Sequence, residues 1–328
     1  MKIKRVFDCV SVLVGTIVGA GFATGNEIYQ FFAKYGYISY ILIAFFFICM
    51  FAFTYKIMLL ANKHNAFTID DLSKKVFGEK FAFFVNVVVY ISFFIFASVM
   101  MSAMSNITGF IGVVVMSLLA FILCIKGKQG ILVANQIILP LIFIFLFMLM
   151  ANGFSFQPIH EVGFIGFLGI FGVLYYVSLN LLISLGSLLV VLHQVNKKEL
   201  LCSAILGCLI LSLLILIVVV ILNNYNFASI SMPLKDIALT KGTFLSLFTN
   251  IVLFCTIFTT FLSSAFGLYK KIKTDYKKPI FVFIIILLLC YIVSLTGFNC
   301  LVQYAYNIVG FLSLGVTICF LFANNKKN

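Results

Sequence analysis

Long apolar runs dominate this sequence, and charged residues fall almost entirely between them. Ten runs can be marked, at 6–32, 39–61, 81–104, 110–125, 131–150, 164–193, 200–222, 244–269, 280–298 and 301–323. Inside a lipid bilayer every backbone N–H and C=O group must be paired within the protein, so an apolar run of about 20 residues is typical of a spanning helix. The sequence therefore predicts an all-α integral membrane protein, one transmembrane domain over residues 1–328 with about ten transmembrane helices, numbered here as spans 1 to 10.

The composition argues against several other classes. Of the 328 residues, 64% are hydrophobic and 9% are charged, whereas a soluble domain is about half apolar and about a quarter charged. The net charge of +13 could suit nucleic acid, but the basic residues stand singly between apolar runs, so we expect no nucleic-acid partner. The nine cysteines and three histidines have no metal-ligand or redox spacing, and no catalytic motif is evident. We expect no enzymatic activity and no cofactor, with the lipid bilayer as the main partner.

The distribution of basic residues predicts an orientation. Most of the 22 lysines and arginines lie in the loops on one side of the predicted spans, together with the N-terminus, and the opposite loops hold only Lys34, Lys235 and Lys241. Cytoplasmic loops carry such an excess. We therefore expect a multi-pass protein of the cell membrane with both termini in the cytoplasm.

One of the basic loops has the pattern of a surface helix. After span 2, Thr68 precedes Asp70, Asp71 and then apolar residues, as in a capped amphipathic helix. The segment 229–241, which contains Pro233, is a similar candidate on the opposite side.

Span 1 contains more glycine than a continuous helix tolerates well, since each interior glycine costs about 1 kcal/mol relative to alanine. Thr24 and Glu27 have the spacing of a capping box, which starts a helix. A helix start inside the membrane requires a break before it, near residues 19–23. The alternative is close helix packing through small residues, which two glycine pairs fit: Gly15 with Gly19, and Gly21 with Gly25.

A break at this depth is tolerated only where the free backbone groups line a cavity or bind a ligand. We therefore place candidate substrate-binding residues here: Gly19, Ala20, Gly21, Gly25 and Glu27. Glu27 is the one carboxylate well inside a predicted span; it could serve the capping box or handle an ion or substrate directly.

Span 6 shows a weaker version of the same pattern, with Gly166, Gly169, Gly172 and Gly186 around a polar run. A second break near residues 172–180 would add Tyr175, Tyr176 and Asn180 to the substrate site, and Tyr90 of span 3 could face it. The alternative is a continuous tilted helix with packed tyrosines. Breaks in spans 1 and 6 would fit two inverted repeats of five spans each, about 6–150 and 164–323, with the substrate at the midplane.

Two segments carry a family resemblance: GTIVGAGFATGNEIYQFFAKYG at residues 15–36 and YYVSLN at residues 175–180. Here the chain resembles the YkvI-like bacterial membrane proteins, which look like distant members of the amino acid, polyamine and organocation (APC) transporter superfamily. The resemblance extends over essentially the whole chain. It implies the five-plus-five LeuT-type fold with discontinuous helices 1 and 6.

The resemblance also implies an ion site. In sodium-coupled relatives a sodium ion lies between carbonyls of broken helix 1 and hydroxyls of helix 8. The matching groups here would be carbonyls near Gly19 and Phe22 with Thr259 and Thr260, or else with Ser263 and Ser264. The alternative is that such hydroxyls bond the backbone of their own helix or a neighbouring helix. Span 5 has Asn135 and Gln136 where some proton-coupled relatives carry a lysine, which favours sodium over protons.

These features lead to two functional hypotheses. The first is a cation-coupled secondary transporter, a symporter, that moves a small polar solute, with amino acids among the candidates, by alternating access. The second is a ligand-sensing membrane subunit that keeps a transporter fold without transport and needs a protein partner, which the sequence does not identify.

Overall fold

The computed structural model is a bundle of helices and describes residues 2–151, 166–225 and 232–323. The helices are α1 Ile3–Ile17, α2 Ala20–Thr24, α3 Asn26–Phe31, α4 Ile38–Lys63, α5 Ile69–Phe77, α6 Glu79–Lys126, α7 Lys128–Ala151, α8 Gly166–Val191, α9 Lys197–Asn224, α10 Pro233–Thr240, α11 Thr243–Asp275, α12 Pro279–Ser294, α13 Phe298–Cys300 and α14 Tyr306–Phe322. A 3-10 turn, Ala33–Tyr35, follows α3, and a π-helical turn, Leu301–Ala305, joins α13 to α14. The described residues contain no β-strand.

Six of these helices are long and apolar enough to cross a membrane: α4, α6, α7, α8, α9 and α11. Pro279–Ser294 and residues 308–322 are shorter apolar helices. Large apolar side chains on the outer helices are exposed, for example Phe83, Phe147 and Phe281, as expected where lipid replaces water. The prediction of an all-α, multi-pass membrane protein is confirmed at this level.

Helix α6 combines predicted spans 3 and 4. Its 48 residues would measure about 72 Å as one helix, more than twice the hydrocarbon thickness of about 30 Å. Gly109 interrupts it with φ 68° and ψ −165°, a backbone conformation that side chains other than glycine rarely adopt. The helix therefore consists of two segments, 79–108 and 110–126.

Helices α8 and α11 form the centre of the bundle and are buried along most of their length, whereas most of α6 faces outward. Helix α11 packs against α6, α7 and α8, and α1 packs against α7, α8, α9 and α11. The interrupted first span is thus enclosed by other helices.

The predicted second break is wrong, because α8 is helical throughout residues 172–180. Its polar side chains bond within the helix: Ser178 donates to the Leu174 carbonyl at 2.8 Å, and the Asn180 amide donates to the Tyr176 carbonyl at 2.9 Å. A side chain at Gly186 would come within 2.5 Å of the Ser263 carbonyl oxygen. This glycine provides close packing against α11. The continuous helix is the alternative that the sequence left open for span 6. Residues 164 and 165 of span 6 lie outside the described residues.

The lysine-rich loops lie together at one end of the bundle, called here the basic end. The contacts that define it are Lys2 to Glu199, Lys75 to the His64 carbonyl, Lys128 to the Val191 carbonyl and Lys271 to Asp70. Phe67 and His193 pack together at 5.0 Å between ring centroids and join two of these loops. The arrangement agrees with the predicted sidedness of the loops; Met1 and residues 324–328 lie outside the described residues.

The predicted surface helix after span 2 is present as α5. Thr68 is its N-cap, and its hydroxyl accepts a hydrogen bond from the Asp71 backbone N–H at 3.2 Å. On the opposite side, α10 begins with Pro233, a position where proline costs no hydrogen bond. The part of that candidate at 229–231 lies outside the described residues.

Glu199 fixes the N-terminal segment at the basic end. Its carboxylate accepts hydrogen bonds from the backbone N–H of Lys2 at 2.7 Å and of Asn196 at 3.0 Å, and Arg5 lies 3.8 Å away. Arg5 also donates to the Gln194 carbonyl. The backbone hydrogen bonds from Lys2 and Asn196 lower the pKa of Glu199 below its ordinary value, and Arg5 adds to this.

These contacts predict a pH dependence of folding stability. Because the pKa of Glu199 is lower in the folded than in the unfolded protein, its stabilisation is fully present above the unfolded pKa of about 4.3 and disappears as the pH falls through the folded pKa. We expect Glu199→Gln to lower the unfolding temperature near neutral pH and the difference from wild type to close in acid. Thermal unfolding measured across this range checks the expectation. A constant difference at all pH values would contradict it.

Candidate functional site

The first span is interrupted in the buried interior, at Val18 and Gly19. Helix α1 ends at Ile17 and α2 begins at Ala20, while Val18 has ψ 80° and Gly19 has φ −99° and ψ −160°. In a continuous helix the Thr16 carbonyl would accept a hydrogen bond from the Ala20 N–H. Span 1 is therefore interrupted, as predicted, but at Val18 and Gly19 and not across residues 19–23, because Ala20–Thr24 is helical. We call Val18 and Gly19 the span 1 break.

Thr260 of α11 supplies the hydrogen bond that the break removes. Its hydroxyl donates to the Thr16 carbonyl at 3.0 Å. A side chain at Gly19 would come within 2.5 Å of the Thr260 hydroxyl oxygen. Gly19 is required by this close approach, and the buried carbonyl remains paired, as a carbonyl at membrane depth must be.

A chain of buried hydroxyl groups runs from α1 to its two central neighbours. The Thr16 hydroxyl lies 3.0 Å from that of Ser187 in α8, which lies 2.9 Å from that of Ser263 in α11. Ser263 in turn donates to the Ile183 carbonyl at 3.0 Å. Three helices therefore meet beside the break through polar contacts, and sequence reasoning missed two of these residues, Thr16 and Ser187.

A second interruption follows at Gly25, which has φ +84° and separates α2 from α3. It packs against Pro233 and Leu234 of α10. The predicted helix start at Thr24 is wrong, because the helix begins at Asn26 and Thr24 ends α2. The Thr24 hydroxyl donates to the Gly21 carbonyl and accepts from the Asn26 N–H at 3.4 Å, so no capping box with Glu27 forms.

Glu27 instead folds back onto α2, where its carboxyl group lies directly over Gly21. The Tyr176 hydroxyl of α8 faces Glu27 and the Asn180 side chain. Tyr176 is fully buried, and among the described residues its hydroxyl has no partner with hydrogen-bonding geometry. Buried polar groups are nearly always paired. An unpaired hydroxyl beside a carboxyl group is therefore a candidate ligand contact.

Aromatic rings pack around Tyr176 on the side away from the basic end. The Tyr176 ring lies 5.0 Å from Phe31, 5.6 Å from Phe32 and 5.9 Å from Phe46, between centroids. Phe31 also stacks on Tyr175 at 6.0 Å. We call these five residues the aromatic cluster. Of the predicted substrate residues, the structure brings Gly21, Glu27, Tyr176 and Asn180 together, with Tyr175 in the cluster.

Other predicted substrate residues have different surroundings. Ala20 begins α2 at the break, and its side chain lies outside the described part of the chain. Tyr90 lies at the basic end, where the Lys271 ammonium is 5.7 Å from its ring centroid. Nothing in the sequence distinguishes a tyrosine at the midplane from one near the end of a span.

The predicted ion ligands divide into two groups. Thr260 and Ser263 bond to other helices, as described above. Thr259 donates to the Thr256 carbonyl at 3.1 Å and Ser264 to the Thr260 carbonyl at 3.2 Å, both within α11. Thr259 and Ser264 therefore fit the alternative, in which a hydroxyl bonds the backbone of its own helix.

The carbonyl oxygens predicted to bind an ion accept helical hydrogen bonds. Gly19 accepts from the Ala23 N–H at 2.9 Å, and Phe22 accepts from the Gly25 N–H at 3.0 Å. Since a carbonyl oxygen has two lone pairs, each can still contact a cation. The described residues contain no group of three or more histidine, cysteine, aspartate or glutamate side chains that could hold a metal.

A cavity of about 200 Å³ enters from the basic end. Charged residues, including Asp71 and Lys270, line it, and Gly186 and Gly267 also border it. Gly186 contacts the Ser263 carbonyl, so the cavity, called here the basic-end cavity, extends to the residues next to the hydroxyl chain. Burial, with the nearby Lys273, lowers the pKa of Lys270.

Comparison with known proteins places the chain beside two others. It is 26% identical to a Bacillus subtilis (strain 168) protein described as "Uncharacterized membrane protein YkvI", and the match covers 94% of each chain. It is 23% identical to another protein of that strain, "Uncharacterized protein YyaD", again over 94% of each. No protein-family model matches the chain. The resemblance to YkvI is confirmed over nearly the whole length, and the wider APC superfamily stays a prediction.

The hydrogen bond at the break predicts a difference between two buried threonines of α11. Thr260→Val leaves the Thr16 carbonyl without its donor, which costs about 1–3 kcal/mol for a buried group. In Thr256→Val the lost hydroxyl bonds only to the Leu253 carbonyl of its own helix, so we expect a smaller loss. Thermal unfolding of the purified variants measures both. Equal losses would contradict the role given to Thr260.

Proposed function

We propose that this chain is a secondary active transporter in which sodium entry drives the movement of a small polar solute by alternating access around the span 1 break. The observation that carries the proposal is the break itself, a buried interruption of a spanning helix surrounded by hydroxyl and carbonyl oxygens. Interrupted helices at membrane depth are typical of transporter ion and substrate sites. No enzymatic step is part of the proposal.

Sodium is proposed because hydroxyl and carbonyl oxygens surround the break, and oxygen ligands suit a hard cation. Thr260 would turn its hydroxyl oxygen to the ion, with the Gly19 and Phe22 carbonyls on the opposite side. The end of α1 favours a cation, since the C-terminus of a helix carries partial negative charge. Thr259, Ser263 and Ser264 donate hydrogen bonds to other carbonyls, so they could join only through the remaining lone pairs of their hydroxyl oxygens.

The solute site is proposed next to the ion, between α2 and α8. Glu27 supplies a carboxyl group, Asn180 an amide, and Tyr176 a buried hydroxyl for which the described residues provide no well-aligned hydrogen-bond partner. A few polar groups enclosed by aromatic rings are typical of small-molecule sites. The set suits a small solute with hydrogen-bond donors, and amino acids fit this description.

Alternating access requires a barrier on each side of the site. The aromatic cluster would form the barrier on one side, and the hydroxyl chain at the inner limit of the basic-end cavity would form the other. We propose that the basic end faces the cytoplasm, since its loops carry most of the lysines and arginines, and that the protein lies in the cell membrane.

Helix packing supports an inverted repeat of five plus five spans, about 6–150 and 164–323. We count α1–α3 as span 1, α4 as span 2, the two segments of α6 as spans 3 and 4, and α7, α8 and α9 as spans 5, 6 and 7. Span 1 packs against span 7, and span 6 packs against span 2. Span 1 also packs on span 5 as span 6 packs on span 10. Each contact becomes the other member of its pair when every span is exchanged with its counterpart five positions away. This relation is expected for the LeuT-type fold of the APC superfamily, and here span 1 carries the interruption.

Uptake into proteoliposomes tests the proposal. We expect an inward sodium gradient, compared with choline, to drive uptake of at least one solute from a broad panel of labelled amino acids and other small polar compounds. Tyr176→Phe should reduce this uptake without lowering the unfolding temperature, because it removes only a buried unpaired hydroxyl. Tyr269→Phe, another buried tyrosine, is the matched control.

Three results would overturn the proposal in different ways. Uptake that is independent of sodium and driven by a proton gradient would contradict the proposal that sodium is the coupling ion. Solute binding without any flux would favour the sensing subunit. Neither binding nor flux across the panel would contradict a solute site between α2 and α8.

A further inference from the structure

A second concavity lies on the outward-facing side of α6 at the basic end. This cleft has a volume of about 580 Å³ and is bounded by α5, the first turns of α6 and the end of α11. It shares Asp70, Lys74, Tyr90 and Lys271 with the basic-end cavity, but its remaining lining residues all belong to α6. We call it the α6 cleft.

One wall of the α6 cleft is apolar. Phe83, Val87 and Ile91 line it at a spacing of four residues along α6, and they are 65%, 40% and 47% exposed. From Glu79 to Ile91 the helix rises about 18 Å, enough to pass from the headgroup region into the hydrocarbon. A stripe of exposed apolar side chains at this position suits a lipid acyl chain.

The other part of the cleft is charged, and its charges are incompletely paired. Lys271 forms ion pairs with Asp70 at 2.8 Å and Asp275 at 3.1 Å. Within the described part of the chain Lys74 and Glu79 take part in no ion pair. The Asp70 Oδ1 atom is buried and has no hydrogen-bond partner there. The cleft thus offers an ammonium group without a carboxylate and carboxylate oxygens without a donor.

We propose that the α6 cleft binds a phospholipid whose headgroup carries a phosphate and a primary ammonium, as phosphatidylethanolamine does. The phosphate contacts Lys74, the ammonium group donates to Asp70 and Glu79, and an acyl chain lies along Phe83, Val87 and Ile91. The headgroup phosphate supplies a negative charge for Lys74, and the headgroup ammonium supplies a positive charge for Asp70 and Glu79. Phosphatidylglycerol has hydroxyl donors but no ammonium group whose positive charge could pair with Asp70 and Glu79, and a soluble zwitterion leaves the apolar wall uncovered.

The lipid would also lie against the Lys271–Asp70 ion pair, which holds α5 to α11. Its binding would therefore stabilise the arrangement of α5 that borders both the cleft and the basic-end cavity. This role does not depend on what the protein transports.

Thermal unfolding of delipidated protein with added lipids tests the proposal. Lipids that bind the folded state raise the unfolding temperature. We expect phosphatidylethanolamine to raise it more than phosphatidylcholine, whose ammonium has no hydrogen to donate, and more than phosphatidylglycerol, at equal mole fraction. Lys74→Ala and Glu79→Gln should each remove this preference. Lys80→Ala, an exposed lysine on the same turn of α6 that does not line the cleft, should keep it.

A second measurement does not depend on the variants. Native mass spectrometry of wild-type protein from an equimolar mixture of the three lipids should show preferential retention of phosphatidylethanolamine. Equal shifts and equal retention for all three lipids would overturn the proposal, as would loss of the preference in Lys80→Ala. An equal shift with soluble phosphoethanolamine would show a headgroup site without an acyl chain and would also overturn it.

Discussion

The arrangement of this bundle depends on one hydrogen bond between two helices, from the Thr260 hydroxyl of α11 to the Thr16 carbonyl of α1. In hydrocarbon an unpaired carbonyl costs several kcal/mol, so a helix can be interrupted there only if another element replaces the missing donor. Helix α11 must then pass close to the break, which Gly19 permits. Helix α8 must pass equally close for the hydroxyls of Thr16, Ser187 and Ser263 to meet. The two most buried spanning helices, α8 and α11, are therefore the two whose hydroxyl groups form hydrogen bonds beside the break.

The sequence predicts the main features because the membrane leaves few alternatives. Apolar runs identify the spans, and a glycine-rich first span identifies an interruption. The lysine pattern groups the loops that the structure brings to one end, and Thr68 with its following aspartates marks the start of α5. The apolar runs, the glycines of span 1 and the Thr68 pattern each lie within one segment of the chain, whereas the lysine pattern compares loops along its whole length.

Two of the errors concern contacts between residues far apart in the chain, and the third concerns the backbone conformation of a single glycine. Glycine allows both a break and a continuous helix, and residues 172–180 of α8 are helical, with Gly172 next to Phe31 of α3. Thr259 and Thr260 are neighbours, yet only the rotation of α11 determines which hydroxyl points at α1. The left-handed conformation of Gly25 moves the helix start past Thr24 and releases Glu27 toward Gly21. No periodicity within span 1 could reveal that change.

The central claim, that the span 1 break is a cation site, is tested most directly by the effect of sodium on thermal unfolding. Wild type, Thr260→Val and Thr256→Val are compared in sodium, potassium and choline chloride at constant ionic strength, because an ion that binds the folded state raises its stability by mass action. We expect sodium to raise the unfolding temperature specifically in wild type and Thr256→Val but not in Thr260→Val. No sodium-specific increase in wild type, or an undiminished increase in Thr260→Val, would contradict it.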